Sequence, residues 1–186
     1  MRKFVIGGGP HTGKTTLLEA LRSEMPGDTH FIPEPAGILI RAELARQEAE
    51  AGYTAVLPTN SYPTFVTRAI AKSIELEGAI PLGTKTTVQD RSLIDNVGYA
   101  RYHGYDHLVP DIQPHIKAAG YTAILLCDFV GTYDQTKFRM GNEQYAHQVH
   151  EQLAAAYVES GVPIISVPPI SVPERVELVM DAMGSF

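Results

Sequence analysis

A glycine-rich segment near the N-terminus carries the residue types that hold a phosphate chain. Residues 8–15 read Gly-Gly-Pro-His-Thr-Gly-Lys-Thr, which matches the pattern G-x-x-x-x-G-K-[ST]. Glycines let the backbone curl so that several N–H groups converge on one anion, and the positive end of the following helix faces the same anion. The predicted nucleotide-binding residues are Gly8, Gly9, Pro10, His11, Thr12, Gly13, Lys14, Thr15 and Thr16.

Two side chains of this loop have specific expected roles. We expect the Lys14 ammonium to reach the β- and γ-phosphates of a nucleoside triphosphate, and the Thr15 hydroxyl to bind Mg²⁺. The His11 side chain lies inside the loop sequence, and we expect the ring itself to point to solvent.

The Asp90-Arg91 pair follows the third predicted strand, Thr86-Thr87-Val88-Gln89, and is the second candidate for chemistry. A carboxylate at the carboxyl end of a parallel strand lies where ligands bind. Asp90 could hold Mg²⁺ through water or accept the proton of an acceptor hydroxyl, and Arg91 could grip a phosphate or carboxylate with two N–H groups. The alternative is a surface ion pair that caps the next helix.

Glu34 and Arg68 complete the predicted acceptor-binding set with Arg91. Glu34 follows the second apolar run, so it would lie at the same edge of the sheet and could contact an acceptor hydroxyl or orient water. Arg68 lies on a helical pattern between the second and third runs, where an acceptor pocket would be built. The alternatives are an exposed loop acid and a solvent-facing arginine.

A basic pair interrupted by an aromatic residue predicts a short lid at residues 129–141. Lys137 and Arg139 flank Phe138 between two glycines, and Arg139 could neutralise charge on the transferring phosphoryl group. A solvated basic pair is the alternative. Asp128, just before this segment, is either a second metal-linked acid or a turn residue.

The elements that must position these residues alternate between short apolar runs and longer helical patterns, which predicts an α/β fold. The predicted strands are residues 4–6, 30–32, 86–89, 122–127 and 163–167. The predicted helices are residues 14–23, 38–50, 65–77, 92–102, 110–119, 143–160 and 172–183, with residues 52–63 as a loop.

Composition limits the classes of protein that remain. The 186 residues suit a single domain, and 21 acidic against 15 basic residues give a net charge of −6, which disfavours bulk binding of nucleic acid or anionic lipid. No run approaches the roughly 20 apolar residues of a membrane span. The single cysteine cannot form an intramolecular disulfide. We expect a cytoplasmic protein without zinc, and the sequence leaves its oligomeric state open.

The order of these motifs resembles P-loop nucleoside and nucleotide kinases. More closely, the chain resembles the small AAA-like ATPase/kinase family that includes the ribosylnicotinamide kinase domain. The resembling segments are residues 6–17, Pro33-Glu34, Asp90-Arg91-Ser92 with Asp95 and Tyr99, Tyr133 with Arg139, Val167-Pro168 and residues 171–175. The family often has an arginine shortly after its glutamate, whereas here Pro35-Ala36-Gly37 follows Glu34 and the next arginine is Arg41.

This resemblance implies a P-loop NTPase three-layer sandwich with a five-stranded parallel sheet of order 2-3-1-4-5 and a short lid. It implies ATP or GTP as substrate with Mg²⁺, Asp90 as base or magnesium-linked acid, and Arg139 as a lid arginine. Our leading hypothesis is a kinase that transfers the γ-phosphoryl group to a nucleoside, nucleotide or related metabolite. The alternative is a nucleotide-dependent switch that hydrolyses slowly and has no small-molecule acceptor.

Overall fold

A computed structural model describes residues 1–130 and 143–186. The strands are β1 (Arg2–Gly7), β2 (Thr29–Ile32), β3 (Thr86–Asp90), β4 (Ala123–Cys127) and β5 (Ile164–Val167). The helices are α1 (Lys14–Glu24), α2 (Pro35–Ala49), α3 (Tyr62–Gly78), α4 (Leu93–Tyr102), α5 (Val109–Ala119), α6 (Glu143–Ser160) and α7 (Val172–Gly184), with one 3-10 turn at Asp106–Leu108.

All pairings between these strands are parallel, and the sheet order is β2-β3-β1-β4-β5, as the resemblance implied. β1 is the central strand, and its residue Ile6 lies opposite Asp90 of β3 and Leu125 of β4. The chain leaves β1 directly after this position. The register therefore places Asp90 beside the point where the phosphate-binding loop begins.

Side chains of the buried strands alternate between two apolar layers. Phe4 and Ile6 of β1 pack with α1 and α7 on one face, whereas Val5 packs with α4, α5 and α6 on the other. All three side chains are fully buried. Helices on both faces explain why residues 4–6 of β1 and all of β4 are continuous apolar runs rather than an alternating pattern.

Two helices begin three residues earlier than the sequence predicted, and proline is the reason in both cases. α2 begins at Pro35 instead of residue 38, and α3 begins at Tyr62 with Pro63 in its first turn instead of at residue 65. Proline suits the first turn of a helix because the N–H that it lacks would have no partner inside the helix. The prolines that we took as loop residues therefore mark helix starts.

Helix α6 packs unusually close to α4. A Cβ atom added to Gly98 of α4 would lie 2.8 Å from Leu153 Cδ2 and 2.9 Å from Leu153 Cα of α6. Contacts this short to backbone and side chain leave no space for a methyl group. The hydrogen at Gly98 therefore sets the distance between the two helices.

We predict that Gly98→Ala destabilises the protein by about 1–3 kcal/mol, because the methyl group must push α6 away from α4. This cost exceeds the gain of up to about 1 kcal/mol that alanine brings to a helix. Urea unfolding monitored by circular dichroism measures the difference. Gly78→Ala is the control, because a Cβ there would meet nothing within 4 Å. Equal stability of Gly98→Ala and the parent protein would contradict the packing described.

Candidate functional site

The phosphate-binding loop connects β1 to α1 and depends on glycine at its two ends. Gly8 has φ 127° and Gly13 has φ 72°, a region that favours glycine. A Cβ on Gly8 would also lie 2.6 Å from the carbonyl oxygen of Cys127. No side chain caps α1, so the N–H groups of its first turn remain directed at the mouth of the loop. This is the strand, loop and helix arrangement that the motif requires.

Lys14 folds back over the loop that carries it. Its ammonium group donates to the carbonyl oxygen of Gly9 at 2.6 Å and to Thr12 Oγ1 at 3.1 Å. The pKa of Lys14 is lowered to about 8, mainly by burial and also by the nearby Arg91 charge, while Asp90 acts in the opposite direction. A buried ammonium with neutral acceptors would gain from an anion, so the loop is prepared for a phosphate.

Asp90 lies at the carboxyl end of β3 and faces the same cleft. Burial raises the pKa of Asp90 to about 6 and the Glu34 carboxylate adds to the shift, while Arg91 and Lys14 oppose it. Within the described residues, the buried Oδ1 atom of Asp90 has no hydrogen-bond partner. An orphaned carboxylate oxygen with a pKa near neutrality can accept a proton or bind a water ligand of a metal ion.

Arg91 is bound by protein acceptors instead of reaching freely into the cleft. Its Nε donates to Glu34 Oε1 at 2.7 Å, and its Nη1 donates to Asp95 Oδ1 and to the carbonyl oxygen of Gly8, each at 3.2 Å. The guanidinium also lies over the Tyr99 ring, 5.2 Å from its centroid. Arg91 is therefore held by protein acceptors while it also lines the cleft, and its grip on an acceptor phosphate stays a prediction.

Asp95 is a buried partner of Arg91 that our sequence interpretation did not assign to the site. Its Oδ2 accepts from the Ser92 N–H at 2.7 Å and from the Ser92 hydroxyl at 2.9 Å, which forms a capping box at the start of α4. Its Oδ1 accepts from the Tyr157 hydroxyl at 2.7 Å. The Ser-x-x-Asp spacing was the available signal, because it fixes such an acid at the helix start beside the sheet edge.

A cleft of about 640 Å³ extends from the phosphate-binding loop past Glu34, Asp90 and Arg91. Its far wall is apolar and aromatic, and the Tyr62 ring there stacks on Tyr105 at 5.0 Å and contacts His103 at 4.4 Å between ring centroids. The other residues of this wall include Ile40, Leu44, Leu57, Phe65, Val66, Ala69, Tyr99 and Tyr145. This size and lining suit a small molecule with a flat, apolar part.

Two of the sequence predictions are corrected by the geometry. Arg68 forms an ion pair with Glu43 at 2.7 Å and does not line the cleft, because its helix directs it toward α2 instead. His11 was expected to point to solvent, but its side chain is buried because the loop turns inward there with φ 61°. Lys137, Arg139 and Tyr133, with most of the predicted lid at residues 129–141, lie outside the described residues.

Arg175 and His150 form hydrogen bonds to the backbone of the phosphate-binding loop. The sequence analysis assigned neither residue to the site. Arg175 Nη2 donates to the carbonyl oxygen of Thr12 at 3.0 Å, and the whole residue is buried. His150 Nδ1 accepts a hydrogen bond from the Gly9 N–H at 3.1 Å. For Arg175 a signal existed, because it falls between Val172 and Val179 on the buried stripe of α7, where a charge must find a partner.

Comparison with solved structures identifies the architecture. A thymidylate kinase from Ehrlichia chaffeensis superposes with a TM-score of 0.67 at 14% sequence identity, covering 98% of this chain and 98% of that chain. The NadR protein in complex with NR gives a TM-score of 0.76 at 18% identity, covering 98% of this chain and 52% of NadR. This chain therefore spans about half the length of NadR. The sheet order and glycine-rich loop define a P-loop nucleotide-binding α/β protein with the kinase-like fold.

The family is defined at the level of sequence. A model of the AAA domain family matches residues 3–175, which is most of the chain, so the protein belongs to this family. A search of curated protein sequences gives no match. The matched range ends at Arg175, the residue that holds the loop at Thr12.

Two further findings concern the described parts of the chain. No helix in residues 1–130 and 143–186 is long and apolar enough to cross a membrane. Over the same ranges, no group of three or more His, Cys, Asp or Glu side chains could hold a metal ion. The predicted Mg²⁺ ligands Thr15 and Asp90 do not need such a cluster, because Mg²⁺ usually keeps several waters and binds substrate phosphates.

We predict that Asp90→Asn stabilises the ligand-free protein at pH 8 by up to about 3 kcal/mol, since the folded state raises the pKa of Asp90 from 3.8 to about 6. The protonated form favours folding, so this contribution is complete below pH 4 and is lost as the pH rises through 6. The two proteins should therefore differ in unfolding free energy at pH 8 and agree near pH 4. Exposed Asp181→Asn on α7 is the control. A wild-type protein as stable as Asp90→Asn at pH 8 would contradict the prediction.

Proposed function

We propose that this protein is a magnesium-dependent kinase that transfers the γ-phosphoryl group of ATP or GTP to a nucleoside, nucleotide or related small metabolite. The observation that carries the proposal is the continuity of the cleft, which joins the phosphate-binding loop to an aromatic chamber with Asp90 at the junction. A protein that only binds or hydrolyses a nucleotide has no need of a second chamber at this position. One of the two structural relatives is named a thymidylate kinase, which agrees with this function.

The phosphate-binding side of the cleft supports the donor role. The N–H groups at the start of α1 and the Lys14 ammonium face the loop where a triphosphate would lie. Once a phosphate oxygen replaces Gly9 O and Thr12 Oγ1 as its acceptor, the Lys14 ammonium stabilises the negative charge of the transferring group. Transfer then relies on positioning and electrostatics, as in other phosphoryl-transfer sites.

Thr15 and Asp90 are the residues that would hold Mg²⁺. The Thr15 hydroxyl is exposed at the start of α1 and lines the cleft, and the orphaned Asp90 Oδ1 supplies a second oxygen of the kind that Mg²⁺ prefers. The ion, when bound, neutralises phosphate charge and orients the phosphate chain.

Asp90 is also the residue best placed to take the proton of an acceptor hydroxyl. Its pKa of about 6 keeps it ionised at neutral pH while making it a better base than an ordinary aspartate. Glu34 lies beside it and is held by Arg91, so its second oxygen can accept a hydrogen bond from the acceptor. The aromatic wall around Tyr62 would take the planar part of the acceptor.

The experiment measures NDP release by purified protein with Mg-ATP or Mg-GTP and a panel of nucleosides, nucleotides and related metabolites. We expect at least one acceptor to accelerate release, with a rate that rises as the pH passes through about 6 because Asp90 must be ionised. Asp90→Asn should reduce acceptor-dependent kcat by about 10²–10⁴-fold, because the variant lacks the carboxylate that accepts the proton.

Asp128→Asn is the matched control, because Asp128 follows the neighbouring strand β4 but does not line the cleft. It should keep acceptor-dependent turnover within about threefold of the wild-type value. Tight nucleotide binding without acceleration by any acceptor would contradict the kinase proposal and favour a nucleotide-dependent switch.

A further inference from the structure

Helix α6 forms one wall of the phosphate-binding loop. A Cβ atom on Gly7 would lie 2.6 Å from the Tyr157 hydroxyl oxygen, and a Cβ on Gly9 would lie 2.9 Å from His150 Cβ and 3.1 Å from the Ala146 carbonyl oxygen. Ala146, His150 and Tyr157 follow each other at helical spacing, so they share one face of α6. The glycines at the start of the loop are therefore needed for contact with this helix.

The contact includes one directed hydrogen bond. The Gly9 N–H donates to His150 Nδ1 at 3.1 Å, which requires a neutral imidazole with its proton on Nε2. The next residue, Pro10, has no N–H. The Gly9 N–H is therefore committed to His150, and this hydrogen bond ties the backbone before His11 to α6.

The surroundings of His150 keep the ring neutral at pH 7. Burial is the main factor that lowers its pKa below 6.5; the charges of Lys14 and His147 lower it further, whereas Asp128 and Glu151 raise it. These are the titratable neighbours that act on the ring within the described residues, from the loop, the end of β4 and α6 itself. The Phe129 ring covers the imidazole, with 4.9 Å between the ring centroids.

We propose that His150 is a positioning residue of the phosphate-binding loop, and that protonation of its ring removes the acceptor for the Gly9 N–H and weakens nucleotide binding. The hydrogen bond would fix the loop before the nucleotide binds, so that binding costs less conformational entropy. The part of this proposal that concerns the nucleotide rests on the proposed function, whereas the link between His150 and Gly9 does not.

The link is tested on the nucleotide-free protein by NMR titration between pH 5 and 8. We expect the Gly9 amide resonance to shift with the same midpoint as the His150 ring, below pH 6.5. In His150→Asn, whose Oδ1 can replace Nδ1 as the acceptor, the Gly9 amide should keep its high-pH position throughout. A Gly9 amide resonance whose chemical shift does not change as His150 titrates would overturn the link.

The effect on function is tested by calorimetric titration with Mg-ATP and Mg-GTP at pH 5.5 and 7.5. His150→Leu should bind the nucleotide about tenfold more weakly at pH 7.5, whereas His150→Asn should stay within about threefold of the wild type. The loss of affinity between pH 7.5 and 5.5 should be smaller in His150→Asn than in the wild type. The titration of the nucleotide itself is the same for both proteins, so it cancels in this comparison.

His115→Asn, at an exposed position of α5, is the control and should behave as the wild type at both pH values. Equal pH dependence in His150→Asn and the wild type would overturn the proton-sensitive role. Full affinity in His150→Leu would overturn the positioning role. A wild-type protein that binds neither nucleotide would refute the proposed function and the nucleotide part of this inference together, and the NMR result would still decide the link.

Discussion

The buried guanidinium of Arg91 joins the three segments of chain that form the cleft. It binds Glu34 after β2, Asp95 on α4 and the carbonyl oxygen of Gly8 at the start of the phosphate-binding loop. A planar cation with donors on several sides is the side chain that can hold acceptors in such different directions. One residue therefore connects the phosphate-binding loop, the segment after β2 and the start of α4. Arg91 directly follows β3 and has a left-handed backbone conformation.

Lys14 and Asp90 also carry charges in the cleft, and the charged form of each is less favourable there than in water. Burial lowers the pKa of Lys14 to about 8 and raises that of Asp90 to about 6, so each group bears its charge at a cost in stability at neutral pH. A nucleotide that brings negative charge and a metal ion would relieve Lys14 and Asp90 respectively. The charged forms of Lys14 and Asp90 thus lower the stability of the folded protein, and a bound nucleotide with its metal ion would offset this cost.

The sequence predicted the parts of this site that follow from local chemistry. The Gly8–Thr15 motif predicts its own strand, loop and helix, and Asp90 lies at the end of the third predicted strand. The hydrogen-bond partners of Arg91 and Arg175 could not be predicted, because Asp95 is placed by helix capping and the Thr12 carbonyl oxygen belongs to a loop distant in sequence from Arg175. Spacing rules describe neighbours along one element and carry no information about which buried acceptor a long side chain finds.

The free energy of urea unfolding at pH 7.5, compared between Arg91→Met and Arg68→Met, tests the central role of Arg91 most directly. Both arginines form an ion pair with a glutamate at 2.7 Å, but the Arg91 side chain is 11% exposed and that of Arg68 is 43% exposed. Removing Arg91 leaves the buried Asp95 carboxylate without its cation, so we predict a loss of about 3–5 kcal/mol, against less than about 1 kcal/mol for Arg68. Similar losses in the two variants would contradict the account.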